Sequence, residues 1–309
     1  MKRPVNPHLS IIIPAYNECE VIGSVLDQIL ALDLDAEVIV VNDGSTDATS
    51  DVAGTRRGVR VIEHPYNIGN GAAIKTGIRA ARGDVILMMD GDGQHKPADI
   101  PRLLSYMKRY DMVVGARTSE SDAQAHRTLA NQVYNAFASY IVAHRVEDLT
   151  SGFRAVRGPI ARSFWYLLPN GFSYPTTLTL ALFRGGFSVR YEPIIAPART
   201  GRSKIRVVQD GPGFLLTMMR IATVFSPMKI FLPVTLALLL PGALYMIFSL
   251  LVLHRFSSTS GILILAGVFL FMLGLIAEQI ALLRMSQIGH FYNEIAYPAP
   301  REDEYGGGK

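Results

Sequence analysis

Cysteine occurs once, at Cys19, and tryptophan once, at Trp165. A lone thiol closes no internal disulfide, so the fold cannot be stapled as small secreted domains are, and a cytosolic setting is the simpler expectation for the globular part. Concentrated charge is also missing. Thirty Lys and Arg against 26 Asp and Glu leave a net +4, and the basic residues are scattered instead of forming the dense run that binds nucleic acid. No nucleic-acid partner is therefore expected, whereas an anionic small ligand or a membrane fits. Lys2 and Arg3 are followed only by the short apolar run Ile11 to Ile13, too brief for the core of a signal peptide, so no cleaved export signal is expected.

What the chain does have is apolar residues, 49% of the total, unevenly spread. Residues 1–205 mix charged, apolar and turn residues as a soluble domain does. Strand-like runs at Ser10–Ala15, Glu37–Asn42, Val59–Glu63, Val85–Met89 and Met112–Gly115 alternate with helix-like segments at Glu18–Leu32, Thr46–Arg56, Gly71–Ala81 and Pro97–Lys108. Asn17, Ser45 and Asn70 stand where helix caps belong. This order predicts an α/β fold with a mostly parallel, doubly wound sheet, whose ligands bind at the carboxyl ends of its strands.

Ile230 to Leu253 carries no formal charge over about two dozen residues, enough at about 1.5 Å per residue to cross a hydrocarbon core of roughly 30 Å. Ile262 to Leu283 is a second such run, interrupted by Glu278 and Gln279. Together they predict a transmembrane hairpin over 230–284, its turn at His254 to Gly261. Before it, Phe214, Met218, Ile221, Phe225 and Met228 share one helical face, so 206–229 reads as an amphipathic interfacial helix. Residues 285–309 read as a polar tail. Lys204, Arg206, Arg220, Lys229 and Arg284 flank the hairpin, against His254 and Arg255 in its loop. This bias predicts a multi-pass protein of the cell membrane with both termini cytoplasmic. Two-helix anchors often recruit partners, so a homo-oligomer is compatible.

Chemistry-bearing residues follow the strands. Asp90-Gly91-Asp92-Gly93-Gln94-His95 sets two carboxylates and an amide oxygen within one turn, hard ligands that suit Mg²⁺ or Mn²⁺ bound together with phosphate oxygens. A solvated Asp-Gly turn would use the same residues, and His95 is more often a structural neighbour than a ligand. Tyr16 can stack on a nucleobase and Asp43 can accept hydrogen bonds from a base or ribose, if their loops adjoin; Asn42 to Asp47 is equally a helix-capping turn. The stretch Asn67 to Ala73 is Gly-rich enough for backbone to approach a phosphate, but P-loop spacing is absent.

Read in order, Ile-Pro-Ala-Tyr-Asn-Glu (13–18), Val-Asn-Asp-Gly-Ser-Thr-Asp (41–47), Asn67-x-Gly69-x-Gly71 and Asp90 to His95 resemble the inverting GT-A glycosyltransferases of family 2. Gly115 to Arg117, Asp148-Leu-Thr-Ser-Gly-Phe-Arg154 and Arg199-x-Gly201-x-Ser203-Lys204 resemble the dolichol-phosphate mannose synthase branch with its bacterial polyprenyl-phosphate relatives. The resemblance implies a nucleotide-binding role for Pro14, Ala15, Tyr16, Glu18, Val41, Asp43, Asp90 and Gly91, with Asp92 and Gln94 as metal ligands. It puts Arg117 near the sugar diphosphate and the acceptor phosphate. Arg127 and Asn131 stand where the mannose synthases have an arginine and a serine for that phosphate, although the sequence around them differs. Arg199, Ser203 and Lys204 match a loop that closes on the diphosphate, with Ser203 toward the acceptor phosphate.

The implied reaction moves a sugar from a UDP- or GDP-linked donor to a polyprenyl phosphate, undecaprenyl or dolichyl, at the cytoplasmic membrane face. A phosphate monoester, with a second pKa of about 6, is already largely deprotonated at neutral pH and needs no strong base. Residues 172–178 contain no carboxylate, in keeping with such an acceptor; Asp148 is left as a base, a positioning residue or a structural one. One alternative is a processive polysaccharide synthase, which calls for a Gln-x-x-Arg-Trp motif, yet Trp165 lies in Ser-Phe-Trp-Tyr. Another is a catalytically silent membrane adaptor, against which the intact Asp90, Asp92 and Gln94 argue.

Overall fold

A computed structural model describes residues 9–118, 125–171, 173–196, 219 and 222–296. The chain forms two compact units, Met1–Lys204 with Ile288–Lys309, and Ile205–Gln287.

The first unit is built on a seven-stranded sheet of order β3-β2-β1-β4-β6-β5-β7. Its strands are β1 (Leu9–Ala15), β2 (Ala36–Asn42), β3 (Val59–Glu63), β4 (Val85–Met88), β5 (Met112–Arg117), β6 (Arg154–Arg157) and β7 (Val189–Ile194). Strand β1, Leu-Ser-Ile-Ile-Ile-Pro-Ala, is buried along its whole length, as a continuous apolar strand must be when helices cover both faces of the sheet. Between the strands run α1 (Ile22–Leu30), α2 (Thr49–Gly54), α3 (Asn70–Ala80), α4 (Ile100–Tyr106), α5 (Ala125–Val142), α6 (Gly158–Phe164) and α7 (Tyr174–Arg184). Helix α1 buries Ile22, Val25, Leu26 and Ile29, the i, i+3, i+4, i+7 stripe of an amphipathic helix, against Ile11, Ile13, Val38 and Val40.

Strands β1, β2, β3 and β4 are parallel, β6 runs antiparallel to both β4 and β5, and β7 is parallel to β5. Two reversals across β6 bring β5 back into the direction of β4. The tips of β1, β2, β4 and β5 therefore share one edge of the sheet, and the first residue of β6, Arg154, lies at that edge between Met88 and Val114.

Strands β6 and β7 lie outside the sequence-based expectation. Arg154–Arg157 has an arginine at each end, and Val189–Ile194 contains Arg190, Glu192 and Pro193, so neither carries the apolar signature of a strand. The expected caps also differ. Val21, Ala48 and Gly69 precede α1, α2 and α3, and none makes a side-chain capping bond. The polar side chains beside them bind across loops instead.

The second unit contains α8 (Met228–Leu251) and most of α9 (Ser258–Ala296). Both pass as membrane spans by length and composition, with mean hydropathy 2.2 over Met228–Leu251 and 2.5 over Ser258–Arg284. Only 17% of the most apolar window of each is buried, whereas the core helix of a soluble protein hides most of its surface. Pro233 and Pro241 are accommodated inside α8. Glu278 of α9 accepts a hydrogen bond from the Met228 N–H at 3.2 Å, so the one carboxylate in the apolar stretch meets a helix start that lacks an intrahelical acceptor. Two boundaries shift from expectation: Met228 and Lys229 already belong to α8, and α9 continues to Ala296, through the first part of the expected tail. Of the expected interfacial helix, Phe214, Met218 and Ile221 lie outside the described residues; Phe225 is buried.

Candidate active site

Hydrogen bonds join the loop that follows β1 to the loop and helix start that follow β2. The Asn17 N–H donates to Ser45 Oγ (3.0 Å), Glu18 N–H to Thr49 Oγ1 (2.9 Å) and Cys19 N–H to an Asp47 carboxylate oxygen (3.2 Å), while Thr46 N–H donates to Asn17 Oδ1 (2.8 Å). Asn17 takes a φ of 55° to do so, a conformation asparagine tolerates better than most residues. Pro14, Ala15, Tyr16, Glu18, Val41 and Asp43 thus gather on one rim. Pro14, Ala15, Val41 and Asp43 are buried, and Tyr16 and Glu18 are half-buried.

Asp43 is more constrained than a nucleotide contact requires. Its Oδ1 accepts from the Ile68 N–H (3.0 Å) and lies 2.7 Å from His64 Nδ1; its Oδ2 accepts from the Gly69 N–H (2.8 Å). The carboxylate fixes the loop that leads into α3. That loop is Gly-rich for a reason different from the expected one. A Cβ on Gly69 would come within 2.4 Å of the Asn170 carbonyl oxygen, and one on Gly71 within 2.1 Å of the Pro169 carbonyl oxygen. The space beside the glycines is taken by the segment 169–171, whose Asn170 carbonyl accepts from the Ala72 N–H at 3.1 Å. Asn70 then reaches Asp90, its Nδ2 3.3 Å from Oδ1.

Asp90 follows the tip of β4. Asp92 Oδ1 accepts from the Gln94 N–H at 3.1 Å, which folds the turn so that both side chains belong to it. His95 is buried and stacks on Phe153 with ring centroids 5.2 Å apart. Burial pushes its pKa down to about 4, against the opposing pull of Asp92, and Arg117 lowers it further. Its ring packs inside the unit against Phe153.

Arg117 ends β5 and grips Asp148. Its Nε donates to Oδ2 at 2.8 Å, one terminal nitrogen to Oδ1 at 2.9 Å, and its own N–H to Oδ2 at 3.2 Å. Thr150 and Ser151 N–H groups donate to Oδ1 at 3.1 Å each. Burial alone would raise the Asp148 pKa, but these bonds and the Arg117 charge outweigh it and hold the carboxyl below the ordinary value. Removing one partner of a fully buried pair costs about 3–5 kcal/mol, and less here because Arg117 keeps 34% of its side chain exposed. Sequence reasoning left Asp148 as a base, a positioner or a structural residue. The carboxylate is occupied by Arg117 and by the backbone of its own turn.

The segment 148–154 carries residues that the expected site did not contain. Thr150 Oγ1 accepts from Arg117. Gly152 lies against Asp90, where a Cβ would stand 2.5 Å from Oδ2, and Arg154 is wholly buried. Their signal was present in the Asp148-to-Arg154 motif but was masked by the more obvious titratable groups. Arg199, Ser203 and Lys204 lie outside the described residues, as do the side chains of Arg127 and Asn131, which belong to α5.

A family model described as Glycosyl transferase family 2 matches residues 10–164, and one described as the GtrB C-terminal hairpin matches 226–283. The chain is 30% identical to the undecaprenyl-phosphate mannosyltransferase of Micrococcus luteus over 63% of its own length and 86% of that protein's. It is 32% identical to the dodecaprenyl-phosphate galacturonate synthase of Rhizobium johnstonii over 50% of its own length and 49% of that protein's. With several curated relatives the match thus spans about half of their length. Among solved structures, glucosyl-3-phosphoglycerate synthase from Mycobacterium tuberculosis, crystallised with Mn²⁺, UDP-glucose and phosphoglyceric acid, superimposes with a TM-score of 0.58 at 23% identity, covering 70% of this chain and 80% of that one. It shares the GT-A fold.

Proposed function

The chain belongs to glycosyl transferase family 2, and on that premise we propose that it transfers a sugar, with inversion, from a nucleotide-sugar to a polyprenyl phosphate at the cytoplasmic face of a membrane. The observation that carries this reading is the state of Asp148. A hydroxyl acceptor needs a free base, and the carboxylate nearest Arg117 is committed to that arginine and to the backbone of its own turn. An acceptor that arrives already anionic needs cations to orient it, and Arg117 is such a cation. The names of the curated relatives, which act on undecaprenyl and dodecaprenyl phosphates, point to the same acceptor class, and the two apolar helices supply an anchor suited to it.

The donor set of the Asp90 turn fits a divalent cation. Asp92 and Gln94 offer a carboxylate and an amide oxygen, with the Asp90 carboxylate beside them. No three His, Cys, Asp or Glu side chains among the described residues form a metal cage, and Mg²⁺ or Mn²⁺ in such a site completes its shell with phosphate oxygens and water. When bound, the ion would offset charge on the departing diphosphate. Pro14, Ala15, Tyr16, Glu18, Val41 and Gly91 would line the nucleotide, with Asp43 fixing the loop beside it. Arg127, Asn131 and Ser203 remain proposed acceptor-phosphate contacts, and Arg199 and Lys204 proposed diphosphate contacts. The nucleotide, UDP or GDP, and the sugar are read out by the test.

Purified full-length protein incubated with undecaprenyl phosphate, Mg²⁺ or Mn²⁺ and a panel of nucleotide-sugars should yield a lipid-phosphate-sugar detectable by mass and lost on chelation. Asp92→Ala should abolish turnover while leaving the thermal unfolding transition in place. Full activity in that variant would remove the metal assignment, and absence of product with every donor would remove the acceptor.

A further inference from the structure

Among the described residues, Arg154 is the largest side chain that is fully buried, with 0% exposure. All its hydrogen bonds end on uncharged oxygens. Nε donates to the Ser151 carbonyl at 3.1 Å, NH1 donates to the Pro175 carbonyl at 2.8 Å and to Thr179 Oγ1 at 3.1 Å, and NH2 donates to the Ser151 carbonyl. It forms no ion pair with any described residue. Buried guanidinium groups normally take a carboxylate partner, because a charge removed from water is otherwise poorly stabilised.

The bonds alone do not require an arginine. They tie the 148–154 turn to the first turns of α7, and a neutral amide can donate to carbonyls at a smaller desolvation penalty. What arginine adds is charge, and its place in the sheet gives that charge a target. Arg154 is paired with Met88 on one side and Val114 on the other, two residues before Asp90 and three before Arg117. The ionisable groups that face it are Tyr174 from α7, Tyr191 from β7, Asp148 from the turn and Asp90 beyond β4. The hydroxyls of Tyr174 and Tyr191 are buried and unpartnered. Asp148 is paired with Arg117, so Asp90 is the carboxylate left to face the Arg154 charge, from beyond the tip of β4 and without an ion pair between them. Burial lowers its pKa, but a guanidinium starts so high that it stays charged at neutral pH.

We propose that Arg154 is a positioning residue whose buried charge, acting from inside the sheet, helps hold Asp90 and the anionic groups of donor and acceptor at the tips of β4 and β5. This rests on the reading of those tips as a nucleotide-sugar and lipid-phosphate site. In a low-dielectric interior such a charge acts across several ångströms with little screening.

The test uses the full-length protein with Arg154→Met and Arg154→Lys, and measures UDP and GDP affinity by calorimetry in saturating Mg²⁺ from about pH 5.5 to 9. Each value is divided by that of the unaltered protein at the same pH, which cancels titration of the nucleotide. Arg154→Met should bind about tenfold more weakly throughout. A buried amine titrates far below its ordinary value, so Arg154→Lys should bind nearly as well as the unaltered protein at the acid end and approach the Met variant as pH rises. A Lys variant that stays near the unaltered protein at every pH, with the Met variant weak, supports the same conclusion. Equal weakening of both at every pH would mean that only the hydrogen-bonded frame matters and would overturn the proposal, as would a Met variant that binds normally. Thermal unfolding checks that each variant folds. If Arg154→Met does not, the pH profile of Arg154→Lys decides: a weakening that grows with pH supports the proposal, and one constant across the range overturns it. Unaltered protein that binds neither nucleotide overturns the underlying reading of the site instead.

Discussion

At Asp148 the Arg117 guanidinium, the Arg117 N–H and the turn at Thr150 and Ser151 all converge on one carboxylate. With its folded pKa depressed, the stability it contributes is fully present above the unfolded carboxyl value and is lost only as pH falls through the lower folded value. Both lie below the second ionisation of a phosphate monoester, at about pH 6. The acid limb of kcat/KM should therefore follow the acceptor phosphate. Asp148→Asn should lower kcat/KM by about a hundredfold through a misplaced Arg117, with the acid limb unmoved; loss of that limb in the variant would restore Asp148 as the base. Gly152 allows a second test at this scale. Because a Cβ would stand 2.5 Å from Asp90 Oδ2, Gly152→Ala must displace either the turn or the carboxylate. Activity should fall at least tenfold with a smaller loss of stability, and unaltered kinetics would show that the exact position of Asp90 is not needed.

Helix α3 and the segment 169–171 meet through backbone. The glycines at 69 and 71 make room for the Pro169 and Asn170 carbonyls, and the Ala72 N–H donates to one of them. Gly71→Ala should cost about 1–3 kcal/mol, since the obstacle is main chain and not a side chain that can swing aside, and calorimetry should record a fall of several degrees in Tm. An unchanged Tm would mean that the 169–171 segment yields freely. These contacts also explain which parts of the molecule were legible in sequence. The first five strands could be read because each is an apolar run bounded by turn residues, and the Asp90-to-Gln94 turn because its Asp-Gly pairs end a strand. Strand β6 could not, since its first residue is a buried arginine held partly by the Ser151 carbonyl and partly by α7, some twenty residues along the chain. The Gly-rich stretch was visible, but its purpose was not: sequence cannot tell a glycine that admits a phosphate from one that admits another segment of the same protein. The expected caps failed similarly, because Asn17 and Ser45 found partners across the rim and Asn70 found Asp90.

For the molecule as a whole, the proposed reaction demands that the β-tip edge face the compartment that supplies nucleotide-sugars, and the balance of charge around α8 and α9 predicts the cytoplasm. The single cysteine makes this measurable without engineering. Cys19 lies in the loop after β1, on the rim of the proposed nucleotide site, and is partly exposed. Its hydrogen bond with Asp47 raises the thiol pKa, with burial adding to the effect. The Asp47 carboxyl is itself held at about 2: burial would raise it, but the bonds from Thr49 and Cys19 prevail. Since the thiolate is the reactive form, labelling should be slow at neutral pH and quicken as pH rises. A membrane-impermeant maleimide applied at mildly alkaline pH should modify the full-length protein in inverted vesicles and leave it unmodified in right-side-out vesicles until detergent is added, with Cys19→Ser as the blank. The reverse pattern would put the catalytic unit on the far side of the membrane, away from cytosolic donors, and would require a different donor or a different reaction. Saturating UDP or GDP should slow the labelling in inverted vesicles, because the Cys19 loop is bonded to the loop after β2 and a nucleotide seated on that rim covers both.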